Sequence, residues 1–300
     1  MLHSRVMEYV DQVAHLGSIR AAGARLHVAA SAINRQIILL EQELGEPLFE
    51  RLPRGMRPTP AGTVLLTHIR RTQRSYRETI AEMHALQELP SGDVAIATVT
   101  GLASSIVAVV AARFRARHPD VRVTIRTMTS IQTLNAVAAS EVDLGLGFNI
   151  PASTQVEVCW DRDSRLGAVI APRHPLAGLA TVPLALCAEH PLIFADFEMV
   201  MHGIITDAFA QAGISVEPAF RTTSIETMRR LAALGSAIAF LSRHDIADDE
   251  GEGRLTFRPL SGPTLGANVL SLVRPERHGH TPAGRLFADE LTLELERVGR

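Results

Sequence analysis

Residues 20–62 read RAAGARLHVAASAINRQIILLEQELGEPLFERLPRGMRPTPAG, and the middle of that stretch decides the fold. Ile33, Ile37, Leu40 and Leu44 recur at helical spacing, which predicts one buried stripe of an α-helix. Ser31, Asn34, Arg35 and Ile38 then face outward. A solvated helix face favours Glu and Lys, whereas a short amide and an Arg suit bonding to base edges and phosphates in a major groove. Upstream, Val6, Tyr9, Val10 and Val13 form another stripe, and Gly17 ends that helix. Ser18 is placed to cap a second helix carrying Ile19, Ala22 and Leu26 inward. Its small residues, Ala21 to Ala24, let a neighbouring helix cross closely. A short turn at Leu26-His27-Val28 then leads into the polar-faced helix. The three parts together make a helix-turn-helix, with Ser18, Arg20, Ser31, Asn34 and Arg35 as candidate DNA contacts.

Beyond Gly45 the chain cannot stay helical. Leu48 and Phe49 are apolar anchors, and Arg51, Arg54 and Arg57 alternate with Pro and Gly. This pattern predicts a hairpin wing whose three Arg reach phosphate or the minor groove. Thr59-Pro60 opens the next helix, with Thr59 as its cap. Leu65, Ile69, Thr72, Tyr76, Ile80, Met83 and Leu86 trace a near-heptad seam along it. A helix outside any domain can bury such a seam against a second copy, which predicts a dimer.

The totals fit two or more domains. The chain has 300 residues, 46% of them hydrophobic, with no apolar run long enough to span a membrane and no signal-peptide pattern. A cytoplasmic protein is the expectation. All 30 basic residues are Arg, and the net charge is −2. Residues 1–89 hold 11 Arg against 9 acidic residues, so the positive excess lies in the N-terminal part. Cys159 and Cys187 match no metal or redox spacing. No nucleophile elbow, phosphate loop, dinucleotide fingerprint or zinc spacing is present, which argues against an enzyme and against a cofactor. His278-Gly279-His280 falls in a predicted surface loop and is weak as a metal site.

From Asp93 the pattern changes to alternating strands and helices, which predicts largely parallel sheets covered on both faces. It restarts near Leu166, so two α/β lobes should enclose a cleft at the carboxyl ends of their strands. Thr98, Thr100, Gly101, Ser104 and Ser105 precede a helix N-terminus, where hydroxyls and amides can receive a carboxylate or phosphate without a cation. Phe197, in the loop at 196–202, and Thr222 and Thr223 face the same cleft from the second lobe. Phe148, Asn149 and Pro151 lie where the chain would cross between lobes.

These residues resemble the LysR-type transcriptional regulators. The resemblance rests on the small-residue second helix, Arg35-Gln36-Ile37, the LEQELG run at 40–45, PLFER at 47–51, the Arg/Gly wing and TPAG at 59–62. It continues through FRARHPDVRV, EVDLGLG and RHPLA, covering nearly the whole chain. The family implies a winged helix-turn-helix over 1–59, a linker and dimerisation helix over 60–90, and an effector-binding domain over 91–300. That domain should resemble a type II periplasmic binding protein, with one lobe at about 91–162 plus 266–300 and the other at about 163–265. The resemblance also implies promoter DNA as partner, a homodimer that usually doubles to a homotetramer, and a small effector such as an organic acid or other anion. Arg51 and Arg54 match positions that contact the DNA backbone, and Ser130, with Thr129 beside it, matches the effector-contacting position.

The chain departs from the family where Ala29-Ala30-Ser31 replaces Ser-Gln-Pro. The usual Gln base contact is absent, so Ser31 is the expected cap and Asn34 and Arg35 the expected DNA-facing pair. Two alternatives stay open on sequence. One is a thiol-based oxidant sensor using Cys159 and Cys187. The other is a solute-binding protein, which would account for residues 93–300 but not for the N-terminal helices.

Overall fold

A computed structural model of the chain describes residues 5–52, 55–85, 92–197, 199–261, 265–276 and 281–299, without the side chains at 74, 77, 78 and 81–85. Arg54, Leu86, Met83's side chain and the 278–280 loop therefore lie outside the described residues. The chain divides into two compact units, Met1–Met83 with Ala139–Glu141, and His84–Ala138 with Val142–Arg300.

The first unit runs α1 (Arg5–Leu16), α2 (Ile19–Leu26), α3 (Ala30–Leu44), an antiparallel hairpin of β1 (Phe49–Leu52) and β2 (Gly55–Pro58), and α4 (Pro60–Ala85). Tyr9, Val10, Val13, Ala22, Ile33, Ile37, Leu48 and Phe49 pack into one core. Ser18 caps α2, its Oγ accepting from the Ala21 amide at 3.3 Å, and His27 closes the same helix in the left-handed region. Three expectations need correction here. Ser31 does not cap α3, because the helix starts at Ala30 behind an uncapped Ala29 and leaves Ser31 exposed in the first turn. Leu44 is 48% exposed, so the buried stripe of α3 stops at the half-buried Leu40. Ile69 is fully buried with Leu66 in the unit's own core, and Leu65 packs against it. The first turns of the α4 seam are thus used within one chain, since the wing and α1 reach that face.

The junction of wing and α4 is tightly bonded. Thr59 Oγ1 accepts from the Gly62 amide at 2.9 Å and donates to the Pro47 carbonyl at 2.7 Å. The Thr59 amide donates to the Leu48 carbonyl at 3.0 Å. Gly62 faces that same carbonyl so closely that a Cβ there would overlap the oxygen.

The second unit holds two mixed sheets. It begins with β3 (Gly92–Thr98), α5 (Thr100–Leu102), a π-helical turn at Ala103–Val107 and α6 (Ala108–Arg117). Then come β4 (Val121–Thr127), α7 (Ser130–Ala138), β5 (Leu144–Phe148), β6 (Val156–Asp163) and β7 (Leu166–Ile170). The second half continues with β8 (Val182–Pro183), α8 (Leu184–Cys187), β9 (Leu192–Ala195), α9 (Val200–Gln211), β10 (Phe220–Thr222) and α10 (Ile225–Ala233). It ends with β11 (Ile238–Ser242), α11 (Ala247–Gly251), β12 (Thr256–Ser261), β13 (Val269–Pro275) and α12 (Pro282–Val298). One sheet has the order β4-β3-β5-β13-β6 and the other β10-β9-β11-β7-β12-β8.

The parallel pattern expected from the βα repeats holds for β3 with β4 and β5, and for β9 with β10 and β11. It fails where strands join without a crossover helix. The strand β13 runs antiparallel to β5 and β6, and β7 runs antiparallel to β11 and β12. Because β6 belongs to the first sheet, the chain crosses between lobes after Asp163, not at Phe148–Pro151. In the first lobe α12 returns against the sheet, and Phe287 meets Phe114 edge to face with ring centroids 5.2 Å apart. Phe194, Phe209 and Phe240 cluster in the second at 5.7–5.9 Å.

Side chains tie the crossing strands together. The Asn268 amide group donates to the Ser164 carbonyl at 2.7 Å, and the Ser164 amide donates to the Asn268 carbonyl at 2.7 Å. Asn149, in the left-handed region with φ 50°, donates its side-chain amide to Asn268 Oδ1 at 3.1 Å and accepts from the Val269 amide at 2.9 Å. His244 sits beside this ladder, with Nδ1 2.7 Å from Ser164 Oγ and Nε2 3.4 Å from the Leu295 carbonyl. Burial holds its pKa down to about 4. Among the described residues no helix is long and apolar enough to cross a membrane.

Candidate functional site

The N-terminal unit presents α3 and the wing as one surface. Arg35 is exposed on α3 and, among the described residues, makes no ion pair or hydrogen bond, and the same is true of Arg20 on α2. Asn34 is half-buried and its Oδ1 accepts from Arg51 Nη2 at 2.9 Å, joining helix to wing. Arg57 pairs across the hairpin with Glu50 at 2.7 Å, which lowers the net positive charge of that strand pair. Ser18 has its hydroxyl committed to capping. Glu41 was not singled out on sequence, yet its Oε1 accepts from the Leu48 and Phe49 amides at 2.8 and 3.3 Å and fixes where the wing leaves α3.

The C-terminal unit has a cavity of about 460 Å³ between its lobes. Thr100, Gly101, Thr129, Ser130, Phe148 and Thr223 line it together, as expected. Thr98, Ser104, Phe197 and Thr222 do not. Thr98 is fully buried in β3 and does not reach the cavity wall. Ser104 has a hydroxyl already engaged across the lobes, donating to Glu226 Oε1 at 2.5 Å and accepting from Arg229 Nη1 at 3.1 Å. Phe197 is 70% exposed and stacks under the Arg221 guanidinium at 4.4 Å. Thr222 Oγ1 accepts from the Ser224 amide at 3.1 Å. Ser105, also read as a hydroxyl of this loop, is buried and donates to the His244 carbonyl at 2.8 Å.

Sequence reasoning missed the apolar wall and one acid. Met128, Met199, Met201 and Ile225 supply much of the lining, and Asp245 and Asn268 enter it from the second lobe and the crossing strand. Asp245 is 1% exposed, and burial pushes its pKa up to about 6. Thr129 caps α7, its Oγ1 accepting from the Gln132 amide at 3.3 Å, so the positive end of that helix dipole meets the cavity.

The two cysteines lie in different lobes. Both are free, Cys159 lies in the first lobe's β6 and Cys187 in the second lobe's α8. Burial pushes their thiols up to about 11 and about 12, which suppresses the reactive thiolate. Their environment thus lends the oxidant-sensing alternative no support.

Residues 4–63 match the family model for the bacterial regulatory helix-turn-helix protein, lysR family, and residues 87–296 match that of the LysR substrate binding domain. The RuBisCO operon transcriptional regulator of Allochromatium vinosum is 26% identical over 298 residues, covering 98% of this chain and 97% of that protein. The HTH-type transcriptional regulator CbbR of Xanthobacter flavus is 26% identical over 293 residues, covering 97% and 87%. Full-length CbnR, solved in complex with its target DNA, shares the fold at a TM-score of 0.61 and 20% identity, over 97% of this chain and 99% of that one.

Proposed function

This chain belongs to the LysR family of DNA-binding transcriptional regulators, and on that premise we propose that it reads promoter DNA through α3 and the wing under control of a small molecule held between the lobes of its C-terminal unit. The observation that carries the DNA half is the exposed Arg35, without an ion pair or hydrogen bond among the described residues, beside the Asn34–Arg51 bond. Arg35 is free to make the two-pronged contact with guanine that a major groove offers, while Asn34 holds Arg51 toward the backbone. We further propose that the boundaries are those expected above, with α4 as the surface on which two copies meet. Sedimentation of the full chain reads that association directly.

Arg35→Ala is expected to cost about 1–3 kcal/mol in operator binding while leaving random-DNA binding nearly unchanged. Footprinting on the intergenic DNA beside the chain's own gene, at two salt concentrations, supplies the operator. A specific-to-random affinity ratio that stays at the wild-type value in the variant would remove Arg35 from base reading. Loss of binding to both DNAs in equal measure would make it a phosphate contact instead.

The cavity supports the effector half. Its walls belong to different lobes, so a ligand contacting both favours one lobe angle over others. Ser130→Ala is expected to weaken effector titration by about 1 kcal/mol with operator affinity in the absence of effector unaltered. Equal titration curves for the two proteins would take Ser130 out of the site.

A further inference from the structure

The cavity contains a feature that its hydroxyls do not explain. Among the described residues that line it none is Arg, Lys or His, and one, Asp245, is acidic. The Asp245 side chain is held from one side only. Its Oδ2 accepts from the Ser242 amide at 3.1 Å and from Ser242 Oγ at 2.8 Å. Among the described residues, Oδ1 accepts no hydrogen bond. It lies against Gly101, where a Cβ would stand 2.5 Å from it, so the bare backbone at Gly101 leaves room for that oxygen. That oxygen is not among the sealed oxygens left without a partner, so it opens on the cavity, where the donor of a ligand can reach it. Around it Met128, Met199, Met201, Phe148 and Ile225 form an adaptable apolar wall.

We propose that Asp245 sets the specificity of the cleft: the effector is a small molecule with an apolar body that presents a hydroxyl, amide or amine donor to Asp245 Oδ1, and phosphorylated molecules are excluded. This replaces the anion expected from the hydroxyls alone, and it rests on the cleft being the effector site. A phosphate brought into this cavity meets, among the described lining residues, no cation and one carboxyl, so its desolvation is not offset. The N-terminus of α7, across from Asp245, leaves a place for a hydrogen-bond acceptor at the ligand's other end.

The charged groups that act on Asp245 are Arg229 and Glu226 on α10, whereas Arg243 and His244 of its own turn bond Glu250 and Ser164. The segment Thr100–Val107, packed over it, carries none. Burial outweighs the two Ser242 hydrogen bonds and the weaker pull of Arg229, so the carboxyl is pushed up to about 6 and is largely ionised at pH 7.5. A cationic donor should therefore bind more weakly as pH falls through that value.

Four probes sharing one ring test the inference on the full chain: benzylamine, benzyl alcohol, benzoate and phenyl phosphate, followed by ligand-observed NMR and calorimetry. Benzylamine and benzyl alcohol are expected to bind at least tenfold more tightly than benzoate at pH 7.5, with phenyl phosphate undetectable. Asp245→Asn should abolish the preference of amine over alcohol while operator binding persists. Should that variant fail to fold, the wild-type amine-to-alcohol affinity ratio is measured at pH 5 and pH 7.5, and a fall of about tenfold at pH 5 is expected. Tighter binding of benzoate or phenyl phosphate, or an amine preference unmoved by both the substitution and pH, overturns the role of Asp245 and leaves the effector cleft standing. Absence of binding by all four, with operator binding intact, overturns the role of Asp245 as well and counts against the cleft as a ligand site.

Discussion

Gly62→Ala is expected to unfold the N-terminal unit at temperatures where the C-terminal unit remains folded. The added Cβ would overlap the Leu48 carbonyl oxygen, which is backbone and cannot rotate away. That oxygen also accepts from the Thr59 amide, so moving it would break the cap that starts α4. Relief requires shifting β1 or α4, and Leu48 and Leu66 sit on either side in the buried core. Overpacking of this kind costs roughly 1–3 kcal/mol or more, and loss of the cap adds about 1 kcal/mol. The chain contains a single Trp, and Trp160 lies in β6 of the C-terminal unit. Its fluorescence should follow the unchanged unit, while helical circular dichroism shows an early transition and operator binding is lost. A single wild-type-like transition by both probes would show that the junction yields easily.

Arg229→Ala should be the most damaging single change in the C-terminal unit. Its guanidinium is only 10% exposed and bonds Asp248 and Asp249, each at 2.6 Å. Removing it leaves two carboxylates crowded in a partly buried site, a loss of about 3–5 kcal/mol for a pair of this type. The comparison is Arg254→Ala. Arg254 bonds the same two carboxylates but is 45% exposed, and solvent screening limits its share to about 1 kcal/mol or less. Denaturant titration should rank the two variants far apart, and adding Asp248→Asn with Asp249→Asn to Arg229→Ala should restore part of the loss. Equal midpoints for Arg229→Ala and Arg254→Ala would mean that the cluster is solvated and Arg229 is not its centre. Arg229 also reaches Ser104 in the other lobe, so the variant should alter ligand response even where it stays folded.

What could be read from the sequence follows from what periodicity encodes. Stripes such as Tyr9-Val10-Val13 and Ile33-Ile37, the Ser18 cap and the Thr59-Pro60 helix start depend on neighbours within a few residues, and they stand where expected. The strand β6 was missed because Glu157, Asp161, Arg162 and Asp163 give it the look of a polar loop. Its apolar residues find a partner in β13, more than a hundred positions later. That distant return also makes the sheets mixed.

The cleft divides in the same way. Thr129 and Ser130 announce themselves as a helix start, which is local. The hydroxyls of Ser104 and Thr222 look equally available in sequence, and only the folded chain shows them engaged elsewhere. Asp245 was invisible for the opposite reason. Set in Ser242-Arg243-His244-Asp245, it reads as a charged turn, and its burial comes from packing against Gly101 and Ile225. The methionine wall escapes notice because Met128 and Met199 lie in loops, which carry no period, and Met201 stands in the first turn of α9.

The ladder of Asn149, Ser164 and Asn268 has a mechanical consequence. Two strands bonded side by side through short, nearly perpendicular links behave as a torsion bar. They twist with small changes in each bond, whereas sliding one past the other would break the reciprocal Ser164–Asn268 pair at once. A molecule gripping both lobes would therefore change the pitch between them far more readily than the gap.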